Sequence, residues 1–230
     1  MNSWFLRRSR APWLAAGVAG VLLLSGCGGL PLPKAPQPVV RYDLGLMAPP
    51  VPAAAAPTAP LMPVAVGAVR APLQAQGSTA LHYRLAYEQA QVQHAYAHAR
   101  WSLPPAQLVQ QRLREHLGQG GRAVLSAEPG DVAPSVQGQQ VWVLQLWLEE
   151  FSHVFSTPQD SVGWVRVRAS LVDPAAQGDV LLAQQVLEVR QPASAANAAA
   201  GVQALSQAVD SIGQQLQQWL AQVSAAAPAR

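Results

Sequence analysis

Apolar and polar residues alternate along Val141–Glu149: Trp142, Leu144, Leu146 and Leu148 share one side, while Val141, Val143, Gln145, Trp147 and Glu149 take the other. A period of two is the signature of a strand with one buried face. After a polar turn near Thr157–Ser161 the pattern returns, with Val165, Val167, Ala169 and Leu171 opposite Arg166, Arg168 and Ser170. Asp173-Pro174 and Gly178 predict the next turn, and Val180–Arg190 a last strand with Leu182, Gln184, Val186 and Glu188 on one side. Earlier in the chain, Val64–Val69 is an apolar run of strand length. Leu81, Tyr83, Leu85 and Tyr87 alternate with His82, Arg84 and Ala86, and a turn near Glu88–Gln91 leads into a second strand, Val92–Trp101, making a hairpin. Arg122–Ala127 is a further short strand before a Pro/Gly loop around Glu128–Gly138.

Two segments change period. Pro104-Pro105 opens a helix whose stripe is Val109, Leu113 and Leu117, widened by Leu108 and Ala106, and Gly118 with Gly120-Gly121 ends it. Near the end, Val202, Leu205, Val209, Ile212, Leu216, Trp219 and Val223 recur three and four apart, the spacing of a long helix with one apolar seam. That seam suits a helix lying across the sheet; it also suits pairing with another helix or subunit. The expected fold is therefore α+β: a mixed, largely antiparallel sheet with an internal helix and a long C-terminal helix packed on one face.

The first residues do not belong to that pattern. Arg7, Arg8 and Arg10 precede an apolar run, Ala11–Leu24, which is short for a membrane span and suits a signal peptide. It ends in Leu24-Ser25-Gly26-Cys27, which resembles the lipobox of bacterial lipoproteins. The expectation is a signal peptide over 1–26 and diacylglycerol plus an N-acyl chain on Cys27, with no other cofactor. The chain has a single cysteine, so an intramolecular disulfide is excluded and the exported domain must rely on its core. By resemblance to the rule that sorts such lipoproteins, Gly28 after Cys27 points to the outer membrane, with the domain facing the periplasm. Residues 27–63 form a Pro/Ala-rich tether, as in Pro31-Leu32-Pro33 and Ala53-Ala54-Ala55-Ala56-Pro57. Within it a short strand near 39–45 (Val39-Val40-Arg41-Tyr42-Asp43-Leu44) is expected to join the sheet of a single domain, 64–225.

Composition narrows function by exclusion. Only 12% of residues are charged, against about 25% in a typical soluble domain, and no basic run with interleaved aromatics supports a nucleic-acid partner. No P-loop, dinucleotide fingerprint or nucleophile elbow is present, so no catalytic residue is assigned. His94 and His98 would face one metal from a helix, but their stretch reads as a strand without a third ligand, and no metal site is expected. His153, beside Glu149 and Glu150, could work as an acid or base; a solvated strand position is the simpler reading. Trp142 and Trp219 fit core stripes. Trp147 and Trp164 lie opposite the apolar stripes of their strands and need cover from a loop, helix, lipid or partner protein.

Taken in order, four segments resemble the ABC-type transport auxiliary lipoproteins, whose best-known branch is PqiC/YmbA-like. They are Arg41-Tyr42-Asp43-Leu44-Gly45 after the lipobox, Leu81-His82-Tyr83-Arg84-Leu85-Ala86-Tyr87, the Tyr96–Pro105 entry to a helix through Trp101, and Leu144–Phe155. The resemblance implies a non-catalytic partner of an ABC permease and ATPase and of a mammalian-cell-entry (MCE) domain protein, moving phospholipid or another hydrophobic substrate between membranes. By analogy, candidate partner or lipid contacts are Tyr83, Arg84, Tyr87, Trp101, Trp147 and Trp164. A homo-oligomer is left open. The rival reading is a structural lipoprotein that assembles an envelope machine, such as a secretin pilot or secretion-channel subunit.

Overall fold

The computed structural model describes residues 37–47, 61–72, 75–119, 121–127, 134–175 and 178–226. The signal peptide 1–26, Cys27 and most of the tether therefore lie outside the described residues. Ten strands and three helices follow in chain order: β1 Val40–Tyr42, β2 Val64–Gly67, β3 Ala80–Leu85, α1 Ala86–Gln89, β4 His94–Trp101, α2 Pro105–Gly118 and β5 Val124–Ala127 come first. Then come β6 Ser135–Val136, β7 Gln139–Gln140, β8 Val143–Phe155, β9 Ser161–Ala175, β10 Gly178–Pro192 and α3 Ala198–Ala226. The class is the one the periodicity predicts.

Strand β8 is the axis of the main sheet. One edge pairs along its length with β9, antiparallel, and β9 pairs in turn with β10. The other edge is shared by two parallel partners: β2 at Val143-Leu144 and β3 at His153–Phe155. Beyond β3 lie β4, antiparallel, and β1, parallel to β4; beyond β2 lies β5. The expected strand near 39–45 thus joins the sheet as β1, pairing Val40–Tyr42 with Ala99–Trp101. The expected loop around Glu128–Gly138 carries a small hairpin of β6 and β7, turned by Gln137 and Gly138 with φ of 52° and 81°. Two adjacent positive φ values are what a tight hairpin turn requires, hence the glycine.

Helix α3 lies on the face carrying Leu144, Leu146, Leu148, Val165, Val167, Ala169 and Leu171, all buried. Its seam residues Val202, Leu205, Val209, Ile212, Leu216 and Trp219 are buried in the same core. Asn197 caps it, its side chain accepting from Ala200 N at 3.0 Å. Two glycines permit the close approach. A Cβ on Gly163 would meet Leu205 N at 2.5 Å, and one on Gly201 would meet the His153 ring at 2.3 Å. Helix α2 packs beside α3. Its buried Arg112 and His116 both reach Asp210 Oδ1 of α3 at 2.9 Å, and Arg112 Nη2 also donates to Leu44 O at 2.6 Å.

Two expectations are corrected, at Asp173-Pro174 and at Glu88–Gln91, and the outward side of β10 is fixed. Asp173 and Pro174 are part of β9 rather than a turn, because that strand continues to Ala175. On β10, Leu187 is buried and Ala183 and Val189 partly so, whereas Leu182, Gln184, Val186 and Glu188 are exposed. An irregular register between Leu181 and Ala183 obscures the alternation there. The turn near Glu88–Gln91 begins as one helical turn, α1, which takes Tyr87 out of the strand.

Candidate interaction surface

The faces of β8, β9 and β10 opposite α3 carry a connected group of charges. A bulge between Leu148 and Glu150 lets two successive carboxylates find arginines. Glu150 accepts from Arg84 Nη2 of β3 at 3.1 Å. Glu149 forms ion pairs with Arg166, whose Nε lies 3.0 Å away, and with Arg168. One strand over, Glu188 pairs with Arg166 at 3.5 Å and Arg190 at 3.1 Å. Glu188 also accepts from Trp164 Nε1 at 3.1 Å, while the Arg190 guanidinium sits 4.4 Å from the Trp164 ring centroid. Trp164, which needed cover, is thus covered by its own sheet through a cation–π contact.

Trp147 has no such cover and remains 41% exposed. It stands at a cleft of about 200 Å³ shared with Arg70, Gln145, Arg168, Ser170 and Gln184. Arg70 arrives there because the chain after β2 forms a parallel bridge with Trp147; Arg70 N donates to Leu146 O, and Leu148 N donates to Arg70 O.

The other candidate contacts fall elsewhere. Tyr83 belongs to an aromatic cluster with His94, Tyr96 and Phe155, at centroid distances of 5.1, 4.7 and 6.0 Å. Arg84 is bound to Glu150 and Tyr87 is exposed on α1. Trp101 is 1% exposed and packs on Phe151 at 5.3 Å; its place is in the core, so it offers no surface to a partner. The structure therefore brings Trp147 and Trp164 to one face and does not bring the six residues to one site.

His153 is a second correction. Far from being solvated, it is fully buried, with Nδ1 2.9 Å from Tyr96 Oη and the Phe155 ring 4.4 Å away. Burial pushes its pKa down to about 4 and that of Tyr96 up to about 12, the latter with a contribution from Tyr83. An enclosed, neutral imidazole cannot reach a substrate. Burial likewise lowers the pKa of His82, helped by the nearby Arg84 charge. Among the described residues, no group of three or more His, Cys, Asp and Glu side chains could hold a metal, and no helix is long and apolar enough to cross a membrane.

The sequence pattern passes over Arg70, whose place depends on a bridge beyond its strand. Arg166 and Arg168 are visible in it as the polar side of β9, but their convergence on Glu149 needs the bulge. The Arg112, His116 and Asp210 group has a fainter signal: Arg112 and His116 stand four apart, next to the apolar stripe of α2.

The family model described as "ABC-type transport auxiliary lipoprotein component" matches residues 42–217. A solved structure of a Xanthomonas campestris protein superimposes with a TM-score of 0.64 at 17% identity, covering 82% of this chain and 100% of that one. Another, of a protein described as uncharacterized, gives 0.51 at 13% identity over 80% of this chain and 99% of its own. At these identities the likeness is one of fold. No curated protein sequence matches the chain.

Proposed function

The chain belongs to the family of ABC-type transport auxiliary lipoprotein components, and from that premise we infer that it serves, without a catalytic step of its own, as the lipid-anchored periplasmic partner of an ABC permease, its ATPase and an MCE-domain protein. The cargo in this reading is phospholipid or another hydrophobic molecule passing between the two membranes. The observation that carries the reading is the extent of the family match, which starts at the last residue of β1, runs into α3 and includes every later strand of the main sheet. Lipid on Cys27 would hold the protein at the outer membrane, as Gly28 favours, and the Pro/Ala-rich stretch would act as a spacer of extended, semi-rigid character. A spacer of that kind lets the 64–225 domain meet a partner away from the bilayer. The exposed outer sheet face, with Trp147 at its cleft, is then the natural contact region.

The test is recovery of the tagged full chain from native envelopes under mild conditions. Co-recovery of the MCE-domain protein with permease and ATPase is the expected result. Recovery of a secretion channel instead, or of a homo-oligomer alone, would move the protein to the class of envelope-assembly lipoproteins.

A further inference from the structure

Among the described residues the arginines of the outer face are paired unevenly: Arg84 has Glu150, Arg166 and Arg168 share Glu149, Arg166 and Arg190 share Glu188, and Arg70 has no ion pair. In a chain with so few charges, a cleft lined by two arginines and by no carboxylate is a specific feature. Arg166 lies between Glu149 and Glu188, and Arg190 is held by Glu188 and Trp164. At the cleft, Arg168 shares Glu149 with Arg166, and exposed Arg70 has no carboxylate partner among the described residues.

We propose that this cleft is the docking point for an acidic segment of a partner protein, which seats one apolar side chain beside Trp147 and sets carboxylates against Arg70 and Arg168. Size argues for a side chain: about 200 Å³ is below the roughly 300–1,000 Å³ of pockets that enclose small molecules. Charge argues for a carboxylate, because the guanidinium fork fits its two oxygens. Composition argues for a protein interface, since tryptophan and arginine are the residues that concentrate binding energy at interface centres. The remaining lining, Gln145, Ser170 and Gln184, supplies neutral hydrogen-bonding groups around the anchor, and Gln184 Nε2 already donates to Ser170 Oγ at 2.8 Å. A membrane surface would need neither a cleft sized for one side chain nor an arginine, Arg168, fixed in place by Glu149. This docking point rests on the reading of the protein as a partner in a larger assembly, and it names the chemistry that the partner must present.

A photo-crosslinking residue placed at Gln184 of the full chain, irradiated in native envelopes, tests it, with adducts mapped by mass spectrometry. The expected adduct is to an acidic segment of a protein. It should fall at least tenfold in the Arg70→Glu/Arg168→Glu chain and persist in an Arg41→Glu chain, with thermal unfolding showing that both variants are folded. An adduct to lipid or to a second copy, an adduct indifferent to the double reversal, or no adduct would each overturn the proposal. If transporter subunits are recovered with the chain but Gln184 gives no adduct, the docking point fails and the functional reading stands. If the adduct is acidic and sensitive to the arginines but belongs to no transport subunit, the docking point stands and the functional reading fails.

Discussion

The two faces of β8, β9 and β10 are built by the same strands and held by different physics. Toward α3 the side chains are aliphatic, fully buried and spaced to receive the seam of a helix, so their contribution scales with area removed from water. Toward the outside the same strands present two indoles and a network of arginines and glutamates that takes in Trp164 but not Trp147, with arginine side chains 42–59% exposed. Exposed pairs of this kind gain little because water screens them and long side chains must be ordered. The inner face is thus the source of stability, and the outer face is free to be specific about what it touches. One exception sits on each side. His153 is a polar group placed within the inner layer, and Trp147 is a large apolar group left in water on the outer one.

The comparison breaks most visibly from the inside. Leu205→Ala removes a fully buried side chain at the point where α3 meets Gly163 and is expected to cost about 2–5 kcal/mol in urea unfolding. A loss below about 1 kcal/mol would show that α3 is not fixed on the sheet. Acid probes the polar exception. The unfolded chain protonates His153 near its ordinary 6.5 and the folded one only near about 4, so between those values the unfolded state binds more protons and stability rises with pH. The contribution is fully present above pH 6.5 and is lost as pH falls toward 4, amounting to on the order of 3 kcal/mol. His82, shifted in the same direction, adds to it. Urea unfolding at pH 7 and pH 4.5 reads the slope, and His153→Leu should flatten it; an unchanged slope in that variant would assign the effect to other groups. The smallest effect is expected outside. Glu188→Ala removes the acceptor shared by Arg166, Arg190 and Trp164, yet should cost less than about 1 kcal/mol. A loss above about 2 kcal/mol would make the outer network a structural element and erase the contrast.

The inner layer was legible because hydrophobic burial writes itself as period: Leu144, Leu146 and Leu148 on β8 and the α3 seam from Val202 to Trp219 can be read from spacing alone. Trp147 and Trp164 could likewise be placed on the outer face, since alternation fixes sides. What alternation could not give is where it slips. The irregularity between Leu181 and Ala183 breaks the alternation near the start of β10, and the bulge at Leu148/Glu150 determines which arginine each glutamate meets. Burial of polar residues was also hidden, because His153 and Arg112 owe their places to partners distant in sequence, Tyr96 for one and Leu44 and Asp210 for the other. Trp101 is a candidate contact only by analogy with the family, and its enclosure, which no local pattern shows, depends on Phe151 from another strand.

The divided edge of β8 bears on how the chain assembles as well as on what it becomes. Few residues separate β8 from β9 and β9 from β10 in the sequence, so that meander closes over short distances along the chain, while β2 and β3 must wait for a strand that lies far downstream of both. In a chain delivered amino end first, the earlier strands arrive with their parallel partner still to come, and the entropy of closing those long loops falls on the late steps. Until Val143–Phe155 is in place, β2 and β3 have no common neighbour, and a chain cut short before that strand loses both parallel pairings together.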